Sequence, residues 1–537
     1  MRHFNTTGPI IKDDHYYVEP LQRWDMSEIM NLIENKKYFL LHAPRQTGKT
    51  TCLFSLREKL NEDGDYYAVY TNLESATAFR EDVEKVNYEI SYVLLTRASR
   101  LNIENFDFNK ALAYLNNIPK LNCFGVMLSY LSELLEKPVV VFIDEIDALV
   151  GDSLLNVLNQ LRSGYTERPK HFPHSVMLCG LRNVKDYRLD SINPLRLSSG
   201  SPFNVLATSL RLGNFSKEEV KDLYGQHTNE TGQIFADGCV DMVMDYTSGQ
   251  PWLVNAIAYE LITKMKLGEN LSIKIIPDMI NQAKERIILS RQTHLDQLSY
   301  RLGEERVQRV IAPMLNGENR TPNQDDTQYC LDLGLIKKNE NGIIIANKIY
   351  LDIIPRELSS STQDFIFSTF TPNWIKPDGY IDIKIILSQF KDFWDKNSSI
   401  WGVSIAGYHE AAPQLVLQAF LQRVVNGGGS VIREFALGSY RSDFLIEWRV
   451  QGKIQNIVIE LKMLRKNDKY ETVRNKAIEQ TNKYVKMCGQ KTAEILIFDR
   501  DSYFNWGNDD ENETVEYDNV HFEIWKLGSG ILNKLVN

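Results

Sequence analysis

Long apolar runs are missing from this sequence. No stretch reaches the roughly 18 consecutive apolar residues that a membrane-spanning helix needs, so no such span is expected. The start, Met1-Arg2-His3-Phe4-Asn5, lacks the apolar segment that directs secretion. Cysteine is scarce: Cys52, Cys123, Cys179, Cys239, Cys330 and Cys488 stand far apart. Neither a zinc cluster nor a disulfide framework is therefore predicted, and a reducing, cytoplasmic setting is expected. An excess of positive charge is missing too. The net charge is −9, so any surface that attracts nucleic acid has to be local. There is no internal repeat and no low-complexity tract. What is present is ordinary for a globular chain, 43% hydrophobic and 24% charged, and 537 residues allow about three or four domains.

The stretch that organises the rest is His42-Ala43-Pro44-Arg45-Gln46-Thr47-Gly48-Lys49-Thr50-Thr51. The apolar run Tyr38–Leu41 before it reads as a buried strand, and Cys52–Arg57 after it as the first turns of a helix. Strand, loop and helix in that order form a phosphate cradle. Loop N–H groups and the positive end of the helix dipole face the phosphates. Lys49 would neutralise the β and γ oxygens of ATP, and the Thr50 hydroxyl would ligate Mg²⁺. Ala43 stands where the pattern usually has glycine.

Further along, Met26–Asn35 has helical spacing and Tyr67–Leu73 reads as a strand. Residues 79–135 read as a long helical stretch interrupted near Asn116–Pro119. Pro138–Ile143 is continuously apolar, as in a strand buried on both faces of a parallel sheet. It runs into Asp144-Glu145-Ile146-Asp147. Asp144 is expected to bind the Mg²⁺ through water, and Glu145 to orient the attacking water. A helix over 153–163 and a strand over Ser175–Gly180 follow. The exit of that strand carries Arg182 and Asn183, candidates to sense the γ-phosphate. Arg162, Arg168 and Arg182 are unranked candidates for an arginine finger. Ser216 and Glu219 form a capping box that opens a helical region to about 290. Within it, Gly249-Gln250-Pro251 makes a turn with proline at the helix start. Residues 8–23 lie just before the phosphate-loop strand. Tyr17, Pro20 or Arg23 could cover the adenine, and a packed N-terminal arm accounts for them equally well.

Residues 1 to about 290 resemble AAA+ ATPases, in particular the archaeal-ATPase-like branch related to the signalling (STAND) ATPases. The residues that carry the resemblance are Ala43–Thr50, Ile143-Asp144-Glu145 and Gly249-Gln250-Pro251. It implies ATP and Mg²⁺ as cofactors. It also implies a lid whose Gly-x-Pro turn brings Pro251 to the nucleotide held by Ala43, Pro44, Arg45, Gln46, Thr47, Gly48, Lys49, Thr50 and Thr51. Residues 305–358 look like a winged helix. Glu305–Leu315 and Pro322–Leu333 are its helices, Lys337–Asn341 and Gly342–Ala346 its wing, and Ile349–Ile354 a closing helix stopped by Pro355. It offers few basic residues (among them Arg306, Arg309, Lys337 and Lys338), so packing is favoured over DNA contact. Ser359–Thr362 and the residues to about 375 read as linker.

The C-terminal part reads as helix Pro413–Val425, strand Ser430–Glu434, strand Asp443–Val450, strand Ile457–Lys462, a helix, and a last core strand Glu494–Asp499. A two-residue turn at Gln451-Gly452 pairs Val450 with Lys453. Counting back along both strands sets Asp443 opposite Glu460. Alternation puts Glu460 and Lys462 on one face. Glu460 sits in Val-Ile-Glu-Leu-Lys, too apolar a run for a solvated strand, and a carboxylate there needs a partner or a metal. Two carboxylates suit Mg²⁺ or Mn²⁺, and Lys462 can stabilise charge. Between 462 and 476, six basic and two acidic residues give a local excess of +4, fit for a phosphate backbone.

This segment resembles the PD-(D/E)XK nuclease superfamily through Asp443, Glu460-x-Lys462 and the following Gln480 and Tyr484. The resemblance implies a metal-dependent endonuclease acting on DNA, with Gln480 in the site and Glu434 as a further candidate ligand. A first-helix acid is not clear, Glu410 and Gln414 both being possible. The expected fold class is α/β: a P-loop NTPase parallel sheet with helical lid and winged helix, then a restriction-endonuclease-like α/β domain. The expected boundaries are 1–215 for the ATPase core, 216–300 for the lid, 301–358 for the winged helix, 359–399 for the linker and 400–537 for the nuclease-like domain. The expected function is an ATP-hydrolysing switch coupled to a nuclease. The alternative is a nucleotide-dependent signalling or binding protein whose nuclease-like domain binds nucleic acid or a partner without cutting. Oligomerisation is left open.

Overall fold

The structure, a computed structural model, describes residues 2–79, 82–101, 103, 106–182, 205–290, 298, 300–315, 323–340, 342–358, 374–404, 412–425, 429–437, 440–450, 452–464, 467–499 and 512–528. The chain forms two compact units. One is made from 1–294 and 324–350, the other from 295–323 and 351–537.

The first unit is built on five parallel strands: β1 (Tyr38–His42), β2 (Tyr67–Asn72), β3 (Val139–Asp144), β4 (Ser175–Gly180) and β5 (Leu206–Arg211). Their order across the sheet is β2-β3-β4-β1-β5. Leu40 pairs with Leu178, and Phe142 with Met177. Successive side chains point to opposite faces, and here both faces are covered. Tyr38, Leu40, Val69, Val141, Ile143 and Leu178 pack into one core. Phe39, Leu41, Ala68, Tyr70, Phe142 and Met177 pack into the other, with Leu53 and Leu56 of the helix Lys49–Asp63. That double burial is why these strands read as unbroken apolar runs.

The helical stretch 79–135 is three helices, Val83–Ala98, Phe108–Asn117 and Cys123–Leu134. The interruption not foreseen lies before Phe108, where the Asp107 side chain accepts the Lys110 N–H and starts a new helix. The Ser216–Glu219 capping box is formed and opens the helix Lys217–Thr231. Cys239–Thr247, Pro251–Tyr259 and Pro277–Leu289 complete the helical layer. The helix Gln324–Asp332 and the hairpin β6 (Ile336–Asn339) with β7 (Gly342–Ile345) belong to this same unit, whereas Glu305–Leu315 belongs to the other. The last helix of this region runs Lys348–Leu358, so Pro355 does not stop it. Proline there removes one N–H close to the helix end, where little ladder remains to lose.

The second unit has six strands: β8 (Gly429–Leu437), β9 (Tyr440–Val450), β10 (Lys453–Met463), β11 (Thr492–Asp499), β12 (Glu513–Tyr517) and β13 (Val520–Gly528). Their order is β8-β9-β10-β11-β13-β12. The first three are antiparallel, β10, β11 and β13 run parallel, and β12 returns antiparallel beside β13. The helix Tyr470–Met487 covers one face through Ile478, Tyr484 and Val485, against Leu445, Val458, Ile495 and Ile497.

Two expectations are corrected here. The linker expected over 359–399 ends in structure, because Ile383–Ser404 is a helix. Ile386, Leu387, Phe390, Phe393 and Trp394 recur on one buried helical stripe, with Phe390 against Phe420 and Trp394 against Phe498. Nor is Glu494–Asp499 the last strand. The β12–β13 hairpin follows, turned by Asp518 and Asn519, both at positive φ as a tight two-residue turn requires. Ser359–Thr362 and Pro322 lie outside the described residues.

Candidate functional site

The first site is built where β1 ends. Residues 43–48 turn the chain so that Gly48, at φ 88, opens the helix Lys49–Asp63. The turn is held from within. Thr47 Oγ1 donates to Pro44 O at 2.8 Å. Lys49 Nζ donates to Ala43 O at 2.9 Å and to Pro44 O at 3.0 Å. Arg45 and Gln46 are exposed at the tip, while Ala43, Thr47 and Lys49 are buried. The first N–H groups of a helix have no partner within it, so the helix start beside this ammonium is a place for phosphate oxygens.

From the end of β3, the fully buried Asp144 accepts from Thr50 Oγ1 at 2.8 Å and from Tyr70 OH at 3.0 Å. Glu145 follows at φ 57, a strained conformation for a side chain of this size. Burial raises its carboxyl above the ordinary range, with the Asp144 charge next, while Lys49 pulls it down. A hydroxyl and a carboxylate thus meet beside the phosphate loop. Oxygen donors of this kind suit Mg²⁺.

A pocket opens beside the loop. The N-terminal arm contributes Thr6 and Tyr17, the loop contributes Gln46, and the helix Pro251–Tyr259 contributes Pro251, Trp252 and Asn255. Tyr17, Pro20 and Arg23 all line it. The arm is also a packed one. Trp252 Nε1 donates to Thr6 O at 2.9 Å, Ile10 N to Thr51 Oγ1 at 3.2 Å, and Gln226 Nε2 to Tyr17 O at 2.7 Å. The two readings of residues 8–23 therefore coexist in one segment. Arg23 also braces the loop. Its guanidinium donates to Thr47 O and to Gly213 O and lies 4.7 Å from the Phe215 ring centroid.

The second site lies on β9 and β10. Phe444 pairs with Ile459 and Val450 with Lys453, the register expected from the turn, and Asp443 and Glu460 are the next residues along the two strands. Asp443 Oδ2 accepts the Leu461 N–H at 2.7 Å. Lys462 Nζ donates to Glu460 Oε1 at 2.6 Å and to Gln480 Oε1 at 3.1 Å. Glu460 is 1% exposed, and its Oε2 has no hydrogen-bond partner. Burial pushes its carboxyl up to about 8, the Asp443 charge adds to this, and Lys462 opposes it. A buried carboxylate oxygen without a donor fits a divalent cation shared with Asp443. Among the described residues no group of three or more His, Cys, Asp or Glu side chains gathers. The basic patch is weaker than the sequence suggests, because Arg474 is paired with Glu513. Lys469 and Lys476 are exposed, while Arg465 and Lys466 lie outside the described residues. So does Glu410; the side chain of Glu434 is likewise not described.

Comparison with known proteins bears on the first unit. The family model described as "AAA-like domain" matches residues 5–354, well over half of the chain. The chain belongs to the AAA-like domain family. It is an ATP-binding, P-loop ATPase-like protein in its parallel sheet and phosphate loop. No curated protein matches it. Among solved structures, a Walker-type ATPase of Pyrococcus abyssi is similar at 15% identity, covering 65% of this chain and 99% of its own, with a TM-score of 0.46. The ORC2 protein of Aeropyrum pernix is similar at 12% identity, covering 62% and 91%, with a TM-score of 0.37. Cdc6p from Pyrobaculum aerophilum is similar at 14% identity, covering 65% and 100%, with a TM-score of 0.35. No helix among the described residues is long and apolar enough to cross a membrane.

In this AAA-like domain the arginine candidates are mostly committed. Arg182 Nε pairs with Asp147 Oδ1 at 3.2 Å, and Leu181 N donates to Asp147 Oδ2 at 2.5 Å. Asp147, to which sequence reasoning gave no role, thereby ties the exit of β4 to that of β3. The signal was at hand in the second acid of Asp144-Glu145-Ile146-Asp147. Arg168 lies over the Tyr165 ring at 3.3 Å, and Arg162 is on an exposed helix surface. Asn183 lies outside the described residues. Lys337, weighed for DNA contact, donates to Ser248 Oγ at 2.7 Å.

Proposed function

We propose that the chain is an ATP-hydrolysing switch that also carries a metal-dependent nuclease centre acting on DNA phosphodiesters. In the AAA-like domain, Lys49 and the loop N–H groups hold the phosphates, Thr50 and Asp144 would hold Mg²⁺, and Glu145 orients and polarises the attacking water. Pro251 meets the nucleotide from the lid. Residues 305–358 are read as a winged helix that packs rather than reads DNA, a reading supported by the Lys337–Ser248 contact within the first unit.

The observation that carries the nuclease reading is the buried Glu460, whose Oε2 has no hydrogen-bond partner, next along its strand from the Phe444–Ile459 pair, as Asp443 is on the facing strand. Asp443 and Glu460 would hold Mg²⁺ or Mn²⁺, and the ion would supply Lewis-acid stabilisation of phosphate charge. Lys462 is positioned by Glu460 and Gln480 to meet developing negative charge. The Leu461 N–H orients Asp443.

The test is cleavage of single- and double-stranded DNA by the full chain with Mg²⁺ or Mn²⁺, with and without ATP. Asp443→Ala and Glu460→Gln should remove cleavage and leave ATP hydrolysis near normal. Lys462→Ala should slow cutting while metal still binds. Each variant needs an unfolding curve close to the parent's. A parent that retains DNA but never cuts it in any nucleotide state would replace this reading with that of a non-catalytic binding module.

A further inference from the structure

Asp144 is fully buried, and donors reach its carboxylate from several sides. Thr50 Oγ1 donates to Oδ2 at 2.8 Å, Tyr70 OH donates to the same oxygen at 3.0 Å, and the Glu145 N–H donates to Oδ1 at 2.9 Å. Tyr70 is itself buried and stands on β2, the strand paired with β3. Asn72 settles which way its hydroxyl proton points. The Glu74 N–H donates to Asn72 Oδ1 at 2.6 Å, so the amide nitrogen is the end that faces Tyr70, and it donates to Tyr70 OH at 3.2 Å. A hydroxyl has one proton to give. With Asn72 donating from one side, the Tyr70 proton goes to Asp144. The donors therefore run one way, from Asn72 to Tyr70 to Asp144.

Thr50 is half-buried, and its own proton is committed to Asp144. A hydroxyl in that state has only lone pairs left to offer, the form that ligates a cation. This depends on Oδ2 keeping its place, and the last torsion of an aspartate is broad. A second hydroxyl on the same oxygen, carried by a neighbouring strand, removes that freedom. The Tyr70 ring is held in turn, edge to face with Phe54 at 4.7 Å between centroids. We propose that Tyr70 is a positioning residue for the Mg²⁺ of the phosphate loop, pinning Asp144 Oδ2 so that the Thr50 hydroxyl is turned to take the ion. The inference rests on the reading that Mg²⁺ accompanies ATP at this loop. It adds a residue that belongs neither to the loop nor to the acidic end of β3.

The test is equilibrium binding of ATP to the full chain, over a series of Mg²⁺ concentrations and with the metal chelated. Tyr70→Phe keeps the ring and removes the hydroxyl. Without metal, its ATP affinity should match the parent's, which also shows that the variant folds. The gain in affinity on adding Mg²⁺ should shrink about tenfold, the lower end of what a hydrogen bond to a charged group is worth. An equal loss with and without Mg²⁺ would make Tyr70 a structural residue and overturn the proposal. So would an undiminished Mg²⁺ gain in Tyr70→Phe. A parent whose ATP binding is indifferent to Mg²⁺ would overturn the metal reading beneath it, a failure visible before any variant is made.

Discussion

Thr50 Oγ1 donates to Asp144 Oδ2 at 2.8 Å, joining the helix start to a strand end far along the chain. Lys49 and Glu145 are the chain neighbours of these two residues. Lys49→Ala removes the charge that faces the phosphates, so ATP affinity should fall by about ten- to hundredfold, the worth of a charge-assisted hydrogen bond. Glu145→Gln keeps the shape and should bind ATP normally while hydrolysis drops by about 10²–10⁴. Because burial raises the Glu145 carboxyl, the acid limb of the parent's pH–rate profile should lie above the ordinary carboxylate range. Steady-state turnover and nucleotide titration check all three. Unimpaired turnover in Glu145→Gln would falsify its role.

The phosphate loop is also buttressed from much later in the chain. Gly334, at φ 73, lies so close that an added Cβ would stand 2.5 Å from Pro44 Cγ. Nearby, His42 Nε2 and Asp332 Oδ1 are 3.6 Å apart, both buried. Gly334→Ala is strained by its backbone and by this contact. It should cost about 1–3 kcal/mol and weaken ATP binding, because Pro44 has to move. Thermal unfolding with and without ATP measures both. A variant that matches the parent in the two readouts would show that the loop does not lean on this hairpin.

In the second unit, Glu494 is buried and accepts from Trp525 Nε1 at 2.7 Å. Burial pushes its carboxyl up to about 7 against an ordinary 4.5, and the Trp525 bond only partly offsets this. The folded state then binds a proton that the unfolded chain has released. Its contribution to stability is full below about 4.5 and is lost as the pH rises through about 7. Urea unfolding of the parent and of Glu494→Gln at pH 5, 6, 7 and 8 should show the parent losing stability relative to the variant across that range. A difference that stays constant with pH would refute the shifted carboxyl.

Contiguous chemistry was legible in the chain alone. Ala43–Thr51 is one loop, and Val139–Asp144 one apolar run ending in its acid, because local sequence fixes local backbone. The Phe444–Ile459 register was legible for a related reason: a two-residue turn leaves the strand register no freedom. The sequence also marked Glu460, since a carboxylate in an apolar run has to be explained. The helix Ile383–Ser404 carried a signal that was weak beside the linker residues before it.

Other features have no such local signature. That Thr6 meets Trp252, that Tyr17 meets Gln226, and that Gly334 comes against Pro44 follow from how packed layers close over long spans of chain. Nothing in the spacing of those residues encodes the approach.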